Sequence, residues 1–288
     1  MARLDELKAE LVAGLRAAGL EEAECRREAD LIVEQATGWR LAEQILKANA
    51  DPGPLATSQM YRILEERRRR VPLQYILGYT DFFGLRFRVA PGVFIPRPDT
   101  ETLVEVTLAL CRESGADRLA EIGVGTGAVA VSILKHRPSA TLVGTDVCQA
   151  AVALARENAT AHGVMERITL VACDWREMLL ADLDGLVCNP PYIAPGAKEW
   201  LAPEIALYEP VEALYGWGED GLGFYRDLAG RAPLCLRPGG FVAVEVGDGQ
   251  AETVARIFAE SGLESTLVHA DLNGLPRVVS AFCKASAS

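Results

Sequence analysis

Asn189-Pro190-Pro191-Tyr192 closes the apolar run Leu186-Val187-Cys188, and its residue types suit one task. Asn189 offers a carbonyl acceptor and an amide donor. Pro190 has no N–H, so its own carbonyl can face a ligand without a competing donor beside it. Tyr192 adds a flat aromatic face. Two acceptors converging on one point suit a planar –NH2 group, because each takes one of its hydrogens. The ring can then pack on the conjugated system that carries the nitrogen. The plainer reading of these four residues is a strand-ending turn with an ordinary asparagine cap.

A second constellation lies upstream. Gly123-Val124-Gly125-Thr126-Gly127 follows the short apolar run Leu119-Ala120-Glu121-Ile122 directly. Glycines there let the backbone approach a ligand where a Cβ would collide. Asp146 ends the next apolar run, about 20 residues on, where an acid can accept from both hydroxyls of a ribose. Asp174-Trp175, past a third run, could flank an adenine with the ring and take its amino hydrogen with the acid; a core position explains Trp175 equally well. A dinucleotide enzyme uses the same logic, but its loop reads G-x-G-x-x-G rather than G-x-G-x-G. It would also have no use for Asn189 to Tyr192. No acid or base for hydride transfer is evident: His136, His162 and His269 fall at helix ends and in a strand and read as structural.

These residues need a scaffold, and the pattern from about residue 117 supplies one. Apolar runs at 119–122, 141–146, 168–171, 186–188, 240–246, 265–268 and 277–282 alternate with helical stretches at 128–136, 149–163, 222–236 and 250–261. Strand and helix in alternation give an α/β fold with a doubly wound, seven-stranded, mostly parallel sheet. Ligands of such sheets bind past the carboxyl ends of the strands, where both constellations sit.

The first hundred residues differ. Leu4, Leu7, Leu11 and Leu15 recur at helical spacing, a second helix fits Glu21 to Ala36, and a short third fits Leu41 to Leu46. Thr57 or Ser58 is placed to cap a fourth helix running to Arg69. Leu85, Phe87 and Val89 alternate with Arg86 and Arg88 as a half-buried strand, expected to pair with the apolar residues before Gly78. Pro96 and Pro98 force an extended path before a helix beginning near Glu101, capped by Asp99 or Thr100. The expected division is a helical domain over 1–71, a hairpin and linker over 72–100, and the α/β domain over 101–288. Arg67 to Arg70 form the one strong basic run. It reads either as a contact for RNA or an acidic partner, or as a solvated helix end complementing the helix dipole.

Composition narrows the function. A formal net charge of −11 argues against non-specific binding to a phosphate backbone. Seven scattered cysteines with no CxxC pair fit free thiols in a reducing compartment, so neither a disulfide framework nor a metal site is expected. No apolar run reaches membrane-spanning length, and Met1-Ala2-Arg3-Leu4-Asp5 does not open a secretory signal, so a cytoplasmic location is expected.

Asn189 to Tyr192 resembles the Asn/Asp-Pro-Pro-Tyr signature of amino methyltransferases that use S-adenosylmethionine. Pro72, Gln74, Tyr75, Ile76 and Gly78, then Ile95-Pro96-Arg97-Pro98-Asp99-Thr100-Glu101, then the glycine loop and Asn189 to Tyr192, follow in the order of the peptide chain release factor glutamine methyltransferases (PrmC/HemK family). Tyr208-Glu209-Pro210, Asp220-Gly221-Leu222, Glu245-Val246-Gly247 with Gln250, and Asp271-Leu272 with Gly274 and Arg277 extend the likeness over nearly the whole chain.

The resemblance implies a Rossmann-like methyltransferase with an amino-terminal domain that helps dock the substrate protein. The substrate would be a class 1 peptide chain release factor, methylated on the side-chain amide nitrogen of the glutamine in its Gly-Gly-Gln motif. S-adenosyl-L-methionine would be the cofactor, S-adenosyl-L-homocysteine the product, and no metal would be needed. By the same likeness Gly123, Val124, Gly125, Thr126, Gly127, Asp146, Trp175 and Asn189 bind the cofactor, and Asn189, Pro190, Pro191 and Tyr192 hold the glutamine. Phe94, Arg97 and Thr100 could close over the cofactor. Glu121 departs from the aspartate more usual before the glycine loop. The alternative reading is an adenine-N6 methyltransferase of DNA or RNA, which needs the same two acceptors but also a basic path for the strand.

Overall fold

The computed structural model describes residues 3–196 and 201–285. Met1 and Ala2 of the amino-terminal stretch read above, and the last residues of the 101–288 segment, lie outside the described residues. The chain divides into two compact units, Met1–Gly78 with Ala202–Tyr208, and Tyr79–Leu201 with Glu209–Ser288.

In the first unit, α1 (Leu4–Ala17), α2 (Glu22–Thr37), α3 (Leu41–Leu46), α4 (Pro54–Arg68) and α5 (Leu73–Leu77) follow one another. The leucine stripe of α1 packs against Ile32 and Val33 of α2 and Met60, Ile63 and Leu64 of α4. Each fully buried side chain of this size contributes roughly 2 kcal/mol. Helix α4 starts earlier than its polar residues suggest. Pro54 takes the first turn, where a missing N–H costs nothing, and the Thr57 hydroxyl donates back to the Gly53 carbonyl instead of capping.

The basic run is divided between the fold and solvent. Arg67 is 1% exposed and forks onto Glu28, with Nε to Oε2 at 2.7 Å and Nη2 to Oε1 at 2.9 Å. Glu204, from the later segment of the same unit, takes Arg67 at 3.1 Å and Arg70 at 2.6 Å. Only Arg68 and Arg69 point outward, each toward a glutamate three residues back.

The second unit opens with a hairpin of β1 (Tyr79–Phe82) and β2 (Leu85–Arg88). The apolar residues before Gly78 are not its second strand: they form α5, which Gly78 ends in the left-handed conformation. Phe83 and Gly84, both at positive φ, make the two-residue turn whose twist matches the flanking strands.

There follow α6 (Glu101–Ser114), β3 (Arg118–Ile122), α7 (Ala128–His136), β4 (Thr141–Asp146), α8 (Gln149–Ala161), β5 (Ile168–Ala172) and β6 (Leu183–Cys188). Then come α9 (Pro203–Tyr208, in the first unit), α10 (Val211–Leu214), α11 (Gly223–Cys235), β7 (Leu236–Glu245), α12 (Ala251–Glu260), β8 (Glu264–Ala270) and β9 (Pro276–Phe282). The strands form one seven-stranded sheet in the order β5-β4-β3-β6-β7-β9-β8. The first four pairings are parallel and the two involving β9 antiparallel. Apolar clusters cover both faces, as buried parallel strands require.

The order reverses at β3, which has β4 on one side and β6 on the other. That switch point opens a crevice past the carboxyl ends of the strands. Ile122 and Cys188, the last residues of β3 and β6, are register partners. The glycine loop and Asn189 therefore leave the sheet side by side. No described helix is long and apolar enough to cross a membrane.

Candidate active site

The glycine loop is held from below by the ends of β3 and β4. Gly123 and Val124 both donate to the Thr145 carbonyl, at 2.8 and 2.9 Å. Asp146 Oδ2 accepts from Gly125 N and Oδ1 from Cys148 N, both at 2.9 Å. Burial pushes the Asp146 carboxyl up, and these two N–H groups oppose the shift. Glu121, 3% exposed, lies under the loop and accepts the Ala130 N–H in the first turn of α7 at 2.9 Å. Burial raises its carboxyl well above the ordinary range. The longer side chain thus serves α7 rather than the crevice.

Gly123, Gly125 and Gly127 all have positive φ. A Cβ on Gly123 or Gly125 would meet nothing within 4 Å, so both face open space above the loop. A Cβ on Gly127 would lie 3.2 Å from the Ala155 Cα, so that glycine permits close packing of α8. Val124 and Thr126 are buried, Val124 within the apolar cluster, so backbone rather than side chain is what they offer a ligand.

The second loop is fixed by a separate network. Asn189 Nδ2 donates to Thr100 Oγ1 at 3.1 Å. Thr100 was expected as a helix cap. It instead lies in a 3-10 turn, Pro98–Thr100, with helical φ and ψ and makes no cap bond, so its hydroxyl goes to Asn189. Gln250 Nε2 donates to the Tyr192 carbonyl at 2.9 Å while its Oε1 accepts from Gly247 N at 3.0 Å. The Tyr192 hydroxyl donates to Glu245 Oε1 at 3.4 Å. Pro190 is buried; Asn189, Pro191 and Tyr192 are half-buried. Burial lifts the Tyr192 phenol above its usual range and the Glu245 carboxyl to about 7.

Arg97 ion-pairs with the buried Glu209 and lies 5.1 Å from the centre of the Phe94 ring. Trp175 is 6% exposed and packs against Phe224, ring centres 6.0 Å apart, while Asp174 is taken by the backbone and guanidinium of Arg176. The histidines contact the fold itself: His136 the Ser132 carbonyl, His162 the Arg86 carbonyl, His269 the Ser280 hydroxyl. No cluster able to hold a metal occurs among the described residues.

The structure thus gathers Gly123 to Gly127 with Asp146, and sets Asn189 to Tyr192 beside them. Sequence reasoning assigned no role to Glu245 or Asn158, or to the Thr100 contact. A lone acid ending an apolar strand was the available sign for Glu245. Asn158, inside a helix, gave none.

Comparison with known proteins follows this geometry. Residues 84–214 match the family model of the methyltransferase small domain, and residues 6–78 that of the PrmC N-terminal domain. A release factor glutamine methyltransferase of Geobacter sulfurreducens is 41% identical over 262 residues, 91% of this chain and 90% of that protein. One of Cereibacter sphaeroides is 40% identical over 281 residues, 98% of each. Among solved structures, the hMettl16 catalytic domain in complex with a 3′UTR hairpin matches with a TM-score of 0.56 at 14% identity, over 72% of this chain and 77% of that one. That likeness speaks for the fold alone. With identity of this order along nearly its full length, the chain belongs to the release factor glutamine methyltransferase family.

Proposed function

We propose that this protein uses S-adenosylmethionine to methylate the side-chain amide nitrogen of the glutamine in the Gly-Gly-Gln motif of a class 1 release factor. The observation that carries the reading is the register pairing of Ile122 with Cys188, which sets a nucleoside-type loop beside a loop of amine acceptors. The relatives' names point the same way. The residues fit the cofactor: Gly123 and Gly125 leave a backbone cradle that a Cβ would fill, and each Asp146 oxygen keeps a lone pair for a ribose hydroxyl. Trp175 and Asn189 complete the set assigned to it. When bound, the cofactor supplies a sulfonium-activated methyl group, taken in a single displacement that leaves S-adenosylhomocysteine.

The chain's own task is positioning. An amide nitrogen is a poor nucleophile because its lone pair is delocalised into the carbonyl. Asn189 Oδ1 and the Pro190 carbonyl each accept one N–H and fix the amide plane, with Pro191 stiffening the turn and Tyr192 packing on the amide. Orientation of this kind supplies much of the acceleration. The two oxygens also favour the positive charge that grows on nitrogen. Water takes the released proton. The helical unit offers the release factor a second surface, a reading supported by the match of residues 6–78. Adenine methylation would use the same sheet and the same two acceptors, but the relatives' names do not point to it.

The test is mass spectrometry of the Gly-Gly-Gln peptide after incubation with cofactor. A gain of one methyl is expected on wild-type release factor, with none on a Gln→Ala version or on DNA. Asn189→Ala should cut turnover by orders of magnitude while cofactor binding survives. Turnover near wild type in that variant would refute the role of Asn189.

A further inference from the structure

The loops after β6 and β7 leave the sheet as neighbours, because Cys188 and Val244 are register partners in parallel strands. Tyr192 in the first loop lies against residues 245–250 of the second. Its hydroxyl reaches Glu245 Oε1 at 3.4 Å. Its ring packs so close to Gly247 that a Cβ on that glycine would come within 2.9 Å of Cδ2. Its carbonyl accepts from Gln250 Nε2 at 2.9 Å. The same carbonyl lies against Gly221, where a Cβ would come within 2.8 Å. Ring, hydroxyl and carbonyl of one residue are thus all engaged by neighbouring loops.

We infer that Gln250 is a positioning residue for methyl transfer, and that with Gly247 it sets where the Tyr192 ring stands against the substrate amide. The orientation of the Gln250 carboxamide is unambiguous. Its Oε1 takes the Gly247 N–H at 3.0 Å and its Nε2 serves the Tyr192 carbonyl, and each of those backbone groups has one role only. The Gln250 N–H closes the same turn on the Gly247 carbonyl at 3.1 Å, and the Val246 N–H is tied to the Arg277 carbonyl of β9 at 2.9 Å. The amide is therefore mounted on a turn held by the sheet, immediately ahead of α12. Gln250 acts through Tyr192 and needs no contact with the substrate itself. The inference rests on the proposed packing of Tyr192 on the substrate amide.

Transfer in line requires the nitrogen lone pair to point along the methyl axis, and the tilt of the amide plane decides that direction. Two acceptors in the plane fix its N–H directions; a wall against its face fixes the tilt. A misplacement of about 1 Å at such a site costs about a hundredfold in rate. Two substitutions act on separate contacts. Gln250→Glu keeps the length and the acceptor for the Gly247 N–H, but its carboxylate sets an oxygen against the Tyr192 carbonyl. Once protonated, it has an O–H to donate there again. At Gly247 the backbone lies outside the left-handed region, so alanine is opposed by contact alone, with Tyr192 Cδ2 at 2.9 Å and Gln250 Oε1 at 3.0 Å.

The experiment is steady-state methylation of release factor by the full chain, with S-adenosylmethionine affinity measured by calorimetry for each variant. Gln250→Ala and Gly247→Ala should each lose about tenfold or more in kcat, while KM for release factor and cofactor affinity stay within about twofold of wild type. Gln250→Glu should be as slow as Gln250→Ala at about pH 8. Relative to wild type, which divides out every other titration, it should recover toward about pH 5 as the carboxyl regains its proton. A role in the fold alone gives no such recovery. If an alanine variant proved unstable, the pH profile of Gln250→Glu would carry the test. A kcat near wild type in either alanine variant, or a Gln250→Glu deficit that stays the same at every pH, would overturn the inference. A Tyr192→Ala enzyme that turned over at the wild-type rate would instead refute the reading beneath it.

Discussion

The side-chain amide of Asn158 lies 2.9 Å from the Thr126 carbonyl of the glycine loop. The same Nδ2 donates to the Arg88 carbonyl at 3.0 Å, and Oδ1 accepts the Arg88 N–H at 2.8 Å. One buried residue of α8, 1% exposed, therefore ties the loop after β3 to the hairpin. Its carboxamide is used at both ends, and the Thr126 carbonyl that it serves is buried.

Asn158→Ala should accordingly cost about 2–3 kcal/mol of stability, the penalty for backbone groups left without partners. It should also weaken S-adenosylmethionine binding about tenfold, because the loop would no longer be held in one shape before the ligand arrives. Urea denaturation and titration calorimetry read the two effects separately. A variant binding the cofactor as tightly as the wild type would show that the loop keeps its shape without Asn158.

The sheet was legible because glycine and apolar runs punctuate it. The loop after Ile122, the acid ending β4 and the prolines stopping β6 each mark a strand end by chemistry local in sequence. One miss was local, and the others depend on distant partners. Residues 73–77 are apolar enough for a strand, but Pro72 and the left-handed Gly78 frame a helical turn, so the hairpin shifted to Tyr79–Phe82. Thr100 looks like a cap until Asn189, far along the chain, claims its hydroxyl. Arg67 looks like one cation of four until Glu28 and Glu204 close around it.

That arginine gives a sharp contrast within a single run. Arg67→Ala would leave Glu28 buried and uncompensated, and breaking a buried pair from one side costs about 3–5 kcal/mol. Arg68 and Arg69 are exposed and make ion pairs at 3.5 Å, so alanine there should change stability by less than about 0.5 kcal/mol. Denaturation followed through the helical unit's transition distinguishes the positions. Equal losses at all three would mean that the buried network contributes nothing particular to Arg67.

Glu121 makes the stability depend on pH in an unusual direction. Burial raises its carboxyl in the folded chain, the neighbouring Asp146 charge adds to the rise, and the Ala130 N–H opposes it. In the unfolded chain it titrates near the ordinary glutamate value of about 4.3. Below that value both states hold the proton and the group is neutral to folding. Above it the unfolded chain ionises first, so stability is lost as pH rises toward the folded value. Glu121→Gln removes the titration while its Oε1 can still accept from Ala130. The difference in stability between Glu121→Gln and wild type should therefore grow in the variant's favour from about pH 4.3 toward neutrality. Thermal melts of both proteins across that range, without ligand, measure it. A difference independent of pH would mean that the fold accepts the charged form as readily as water does.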